Sequence, residues 1–215
     1  AEAVFFTKFP PLDEPFLKNM IGSVVEGANH ADFSDADTLV MIKQAPSRLC
    51  SEVLLPSTKT YRYIRYRGAD GTHCDIAELS FYNSSTDTIR LKGEVIGNGD
   101  KERTEQAKAL DGDLYTSYSS KAPSGSWVGL KFSKPEMIKK VILTPRNRDN
   151  FIRRGDLYEL YYWDHQKWCS LGAKEATSDN IIFNVPKSSL LYLKDLTRGN
   201  QERIFEYKNG KQVWW

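Results

Sequence analysis

The chain has 215 residues, 40% hydrophobic and 27% charged, and its 30 Lys and Arg against 28 Asp and Glu leave a net charge of +2. Such a composition can bury a core, which excludes a disordered chain, and it lacks the concentrated basic excess of a phosphate-tracking surface, which speaks against nucleic acid. No stretch reaches the roughly 18 to 20 uninterrupted apolar residues of a membrane-spanning helix, and the length suits two small domains better than one large one.

The chain opens on Ala1-Glu2-Ala3, with neither a Met nor a basic region followed by an apolar one, so it reads as an excised fragment whose signal peptide is absent or removed. From there strand signals dominate. Runs rich in Val, Ile, Tyr, Phe and Thr, broken by Gly, Pro, Asn and Asp, recur at 4–8, 23–27, 38–43, 61–67, 77–82, 89–96, 127–132, 138–144, 158–163, 180–184, 190–195 and 204–207. This predicts an all-β chain of sandwich type. In 61–67 the alternation puts Tyr61, Tyr63 and Arg65 on one face and Arg62, Ile64 and Tyr66 on the other. Both faces are mixed, and periodicity does not choose the core side. Helix is confined to a turn or two near 103–110.

Two hairpins are predicted. One joins Trp163 to Trp168 through a four-residue polar loop. The other turns on Asn209-Gly210, a pair that favours a type I′ turn, and adds a C-terminal strand ending in Trp214 and Trp215. The small polar run 83–87 is the predicted linker, which sets domains of 1–86 and 87–215. A weak repeat supports the division. Val24-Val-Glu-Gly27 leads to 61–66 and then to Glu78-Leu-Ser-Phe81, as Tyr158-Glu-Leu-Tyr161 leads to 191–195 and then to Glu202-Arg-Ile-Phe205. The first half lacks a counterpart to residues 90–150, so it reads as a reduced version of the second. Cys50, Cys74 and Cys169 have no metal-ligand spacing and read as free thiols, with a Cys50–Cys74 bridge as the alternative.

Enzyme signatures are missing: there is no His-Glu-x-x-His, no Gly-x-Ser-x-Gly and no phosphate-cradling Gly-Lys-Ser/Thr loop. His73 and Cys74 are adjacent, and strand neighbours point to opposite faces, which excludes a dyad between them. A non-catalytic chain is expected. Asp111, Asp113 and Thr116 supply hard oxygen within six residues, the chemistry calcium requires; the same residues also make a tight surface turn. Arg146-Asn-Arg-Asp-Asn150-Phe151 combines planar polar groups with a ring face, as a sugar site does. The alternative is a solvated loop held by ion pairs among Arg146, Arg148, Asp149, Arg153, Arg154 and Asp156.

Several of these segments resemble the discoidin, or coagulation factor 5/8 type C, group of galactose-binding-like jelly-roll modules, which includes family 32 carbohydrate-binding modules. In the second half the resemblance rests on Ala109-Leu-Asp-Gly-Asp113 with Thr116, Gly125-Ser-Trp-Val-Gly-Leu-Lys-Phe132, residues 138–146, and Gly155-Asp-Leu-Tyr-Glu-Leu160 with Trp168 and Leu171. In the first half, 25–29, 61–66 and 75–82 resemble the C-terminal half of the same module. The resemblance implies two galactose-binding-like β-sandwiches, the first reduced. It implies that Arg146 and Asn150, with Arg148 beside them, bind a carbohydrate, with Tyr118 as a platform. It implies a structural Ca2+ on Asp111, Asp113, Thr116 and Glu202, completed by main-chain oxygens near Ala109. The closing residues 197–215 resemble the C-terminus of secreted bacterial transglutaminase-like proteins, which implies upstream domains, a secreted, periplasmic or cell-surface location, and a glycan-targeting role. Trp127 is expected in the core. The competing function is a protein-docking scaffold that binds no sugar, and a hydrolase is the third option.

Overall fold

The computed structural model describes residues 1–9, 14–98, 103–199 and 202–215. In chain order the elements of the first half are β1 (Glu2–Phe5), α1 (Glu14–Asn19), β2 (Val24–Ala28), β3 (Asp37–Met41), β4 (Ser51–Leu54), β5 (Thr60–Arg67) and β6 (Glu78–Tyr82). They are followed by β7 (Glu94–Gly97), α2 (Arg103–Ala107), β8 (Trp127–Met137), β9 (Lys140–Thr144), β10 (Leu157–Trp163), β11 (Trp168–Glu175), β12 (Ile181–Asn184), β13 (Leu190–Asp195), β14 (Ile204–Lys208) and β15 (Lys211–Trp214). The all-β expectation holds, with every strand pair antiparallel.

The division of the chain differs from 1–86 and 87–215. A central unit spans Asp13–Asp149, and a terminal unit joins Ala1–Leu12 to Asn150–Trp215. The predicted linker fails as a boundary because strands on either side of it pair: β5 runs against β8 from Thr60 opposite Met137 to Arg67 opposite Trp127, and β9 lies between β4 and β6. A turn-rich run signals a break in secondary structure, and says nothing of where the flanking strands find partners.

In the central unit the sheets are β3-β2-β5-β8-β7 and β4-β9-β6. Their buried side chains, among them Val25, Ile64, Tyr66, Leu79, Phe81, Val128, Leu130, Val141 and Leu143, form one core. A register shift between Tyr61 and Tyr63 explains why alternation did not reveal the inward face of β5. The bulge brings Tyr61 to the same side as Ile64 and Tyr66, which a strict period of two forbids. Arg65 is left outward, where its Nε donates to Glu26 Oε2 at 2.7 Å and its guanidinium lies 4.1 Å from the Phe33 ring and 5.4 Å from that of Trp127. Trp127 is therefore half-buried on the outer face with Arg65 and Phe33, not in the core.

In the terminal unit β11-β10-β13-β14-β15 form one sheet and β1-β12 another. Phe5 meets Phe205 edge-on at 5.1 Å and lies 6.4 Å from Phe183 in a core shared with Tyr158, Leu160, Leu191 and Leu193. Both predicted hairpins form: Trp163 pairs with Trp168, and Asn209 and Gly210, at φ 50° and 75°, make the turn between Lys208 and Lys211. All three cysteines are free thiols.

Candidate functional site

The loop after α2 gathers oxygens. Thr116 Oγ1 lies 2.8 Å from Asp111 Oδ2, 3.0 Å from the Asp113 carbonyl oxygen and 3.2 Å from that of Lys108. One hydroxyl carries one hydrogen and satisfies one of these acceptors. Four oxygens thus converge within six residues of Asp111 and Asp113, which is chemistry that suits a hard cation and fits calcium. Asp113 adds its carbonyl to the cluster, and its carboxylate Oδ1 accepts the Tyr115 N–H at 2.9 Å. A further main-chain oxygen comes from Lys108, while that of Ala109 accepts Leu79 N–H at 2.7 Å. Among the described residues no three His, Cys, Asp or Glu side chains form a group that could hold a metal ion, and a cation at this loop would rest largely on main-chain oxygens.

The carboxylate that reaches this loop is Glu78, from β6. Its Oε2 accepts Gly112 N–H at 2.8 Å and its Oε1 accepts Arg90 Nη1 at 2.8 Å, while Arg90 Nη2 donates to the Asp111 carbonyl at 3.0 Å. Burial pushes the Glu78 carboxyl up to about 7, against the pull of the Gly112 N–H, Arg90 and Ser80. Glu202, which the resemblance assigned to this role, belongs to the terminal unit and precedes β14.

Past β9, Pro145 leads into an exposed basic loop. Arg146 and Arg148 are exposed, and their guanidinium carbons lie 5.8 and 5.9 Å from the half-buried Phe16 ring on α1. Arg146 Nη1 stands 3.8 Å from Asp75 Oδ1, a buried oxygen with no hydrogen-bond partner among the described residues. Asn147 shapes the loop by donating to the Leu114 and Pro145 carbonyls at 3.2 Å and accepting Asp149 N–H at 2.9 Å. The result is two planar cations and a desolvated acceptor beside an aromatic ring. Phe16 gave no signal in the sequence, because it comes from α1, a helix that periodicity did not reveal.

The other two predicted ligand residues lie elsewhere. Tyr118 is fully buried in the core and bridges to Ile76, so it offers no platform. Asn150 is buried in the terminal unit. There its Oδ1 accepts the Lys8 and Phe9 N–H groups at 3.0 and 2.9 Å and its Nδ2 donates to the Phe9 carbonyl at 2.8 Å. These bonds tie the segment that follows β1 to residue 150 and leave the amide to the fold, not to a ligand.

A polar cleft of about 490 Å3 lies in the first half, lined by Asn29, Asp35, Asp37, Lys59, Thr60 and Tyr61. Its groups answer one another: Asp37 Oδ2 accepts Lys59 Nζ at 2.9 Å and Tyr61 Oη at 3.1 Å, and the Lys59 hydrogen bond holds the Asp37 carboxyl below the usual carboxylate range.

A two-layer antiparallel sandwich bearing a basic, ring-backed loop on one unit and an oxygen-rich loop on the same unit is the architecture of a binding module. Residues 84–194, just over half of the chain, match the F5/8 type C domain, and the chain belongs to that family. The match includes Asp111, Thr116 and the whole Arg146–Arg148 loop. Domains of this discoidin type are generally non-catalytic binding modules. No curated protein and no solved structure matches the chain.

Proposed function

We propose that the chain is a non-catalytic carbohydrate-binding region, and that the sugar sits on the Arg146–Arg148 loop. The observation that carries this reading is the grouping of Arg146, Arg148, Asp75 Oδ1 and the Phe16 ring on one unit. A sugar presents an apolar ring face, which an aromatic side chain covers, and paired hydroxyls, which a guanidinium bridges and a carboxylate accepts from. In this reading Arg146 and Arg148 donate and Phe16 backs the ring, while the buried Asp75 Oδ1, 3.8 Å from Arg146 Nη1, holds that guanidinium in place. The oxygen cluster of Lys108, Asp111, Asp113 and Thr116 holds a calcium ion, which neutralises the converging oxygens and stiffens the loop. The resemblance of 197–215 to secreted bacterial proteins supports a wider role, in which the region tethers upstream domains of the same polypeptide to glycans outside the cell. Screening the chain on a glycan array tests the reading: Arg146→Ala and Phe16→Ala are expected to abolish a signal that the parent chain gives. Binding that survives both substitutions, or no binding by the parent, removes it.

One observation favours a protein-docking scaffold. On the outer face of the terminal sheet Trp163, Trp168, Tyr192 and Tyr161 follow one another at centroid distances of 5.4, 5.7 and 5.8 Å, next to the exposed Ile204 and Val213. Their planes are tilted, which suits an irregular protein surface better than a flat sugar ring. Trp168→Ala and Tyr192→Ala leave glycan binding intact if the Arg146 loop is the sugar site.

A further inference from the structure

The two units repeat one half-domain. Gly22 and Gly155, at φ 92° and 90°, each turn the chain into the first strand of a hairpin. Gly22 N–H donates to the Ile42 carbonyl at 2.8 Å and Gly155 N–H to that of Ala176 at 2.7 Å; the return bonds, from Ile42 to Ser23 and from Ala176 to Asp156, are both 3.0 Å. β2 then pairs with β3 and β5, as β10 pairs with β11 and β13. Val25 faces Tyr66 as Tyr158 faces Asp195.

The agreement extends to the second sheet. Val53 of β4 faces Val141 of β9, and Leu55 N–H donates to the Lys139 carbonyl at 2.8 Å. Phe183 of β12 faces Ala3 of β1, and Val185 N–H donates to the Ala1 carbonyl at 2.7 Å. β1 therefore fills in the terminal unit the slot that β9 fills in the central one. The inward pair on β1 is Ala3 and Phe5, and on β9 it is Val141 and Leu143. Small-plus-large and two middle-sized side chains occupy similar volume, the kind of exchange that cores tolerate.

The units differ beyond that slot. β9 carries β6 on its other edge, whereas among the described residues no strand pairs with that edge of β1. The place of β8 beside β5 is taken beside β13 by β14, whose approach, Glu202-Arg-Ile-Phe205, repeats the Glu-x-x-Phe of Glu78-Leu-Ser-Phe81 at β6. Meanwhile the F5/8 type C match runs unbroken from 84 to 194, through β7, β8 and β9 and on through β10 to β13.

We propose that residues 84–149 are an exchangeable half-domain with two acceptors in this chain, 14–82 and 150–215, and that a second arrangement exists in which β9 lies on β12, β8 beside β13 and β1 on β4. In it each acceptor is completed by the strand that directly precedes it, which shortens both closing loops and lowers their entropic cost. β14, displaced by β8, takes the edge of β9 that β6 holds, and Glu202 takes the place of Glu78.

Paired cysteines in the full chain test this, with cross-linked peptides identified by mass spectrometry so that the native thiols are told apart. Ile142 faces Glu52, and Ile182 faces Val4. Glu52→Cys with Ile142→Cys reports the arrangement described above, and Ile142→Cys with Ile182→Cys reports the second. Both disulfides are expected to close within a monomeric chain under mild oxidation, the second accumulating because a covalent trap drains even a state populated at about 0.1 to 10%. The proposal is overturned if Ile142→Cys closes only onto residue 52, onto neither residue, or onto residue 182 only between chains.

Discussion

Thr116 Oγ1 lies 2.8 Å from Asp111 Oδ2. With one hydrogen to give, Thr116 leaves the Asp113 and Lys108 carbonyl oxygens turned toward an oxygen that cannot donate to both. The calcium ion proposed for this loop would relieve that convergence. Calcium at a hundredfold its dissociation constant stabilises a folded state by about 2.7 kcal/mol, which for a chain of this size raises Tm by roughly 5 to 10 °C. Asp111→Ala and Thr116→Val are expected to remove the response. Superimposable melting curves in chelator and in excess calcium would dispose of the site.

Asn150→Ala separates a fold role from a ligand role. Three main-chain groups of Lys8 and Phe9 depend on its amide inside the terminal unit. Leaving buried main-chain groups unpaired costs about 1 to 3 kcal/mol each, moderated where water reaches them, so a loss on the order of 3 kcal/mol is expected by denaturant unfolding. Glycan affinity at the Arg146 loop should not change. A variant with full stability and lost affinity contradicts the assignment.

What was legible in the sequence was local. The Asn209-Gly210 turn and the Trp163–Trp168 hairpin are fixed by a few neighbouring residues, and both stand where they were expected. The pairing of β5 with β8 joins segments on either side of the 83–87 run, and no local signal reports it. The bulge at Tyr61 hid the core face of β5, and the Arg65 guanidinium drew Trp127 to the outside. At the sites, Asp111, Thr116, Arg146 and Arg148 were visible as a motif and a basic loop. Glu78, Asp75 and Phe16 were not, because each arrives from a distant element. Tyr118 and Asn150 carried the right chemistry in the wrong surroundings, since polarity in sequence does not report burial.

Gly129 offers a test of the β5–β8 seam. A Cβ built there would stand 1.9 Å from the Ile64 carbonyl oxygen and 2.7 Å from Arg65 Cα, and main chain cannot swing aside as a flexible side chain does. Gly129→Ala must push the two strands apart at the centre of the sheet, where Arg65 lies opposite Gly129. Forced overpacking of this kind costs about 1 to 3 kcal/mol. Thermal melting should show the loss, and an unchanged Tm means that the two strands do not approach so closely.

Cys74 should behave as an inert thiol although His73 adjoins it. Its side chain is 2% exposed, and burial pushes the thiol up to about 12, helped by Asp75 and opposed by a Gly68 main-chain contact. Only the thiolate attacks an alkylating reagent. At pH 8.5 a thiol titrating near 12 carries about a thousandfold less thiolate than an ordinary one near 8.5, so iodoacetamide should reach Cys74 only through unfolding. The half-buried Cys50, less shielded, should label in the native protein. Peptide mass spectrometry over a time course distinguishes the two: Cys74 should gain label in step with global unfolding as denaturant is added. Labelling of Cys74 at the rate of Cys50 in native buffer would show that its pocket opens without the sandwich coming apart.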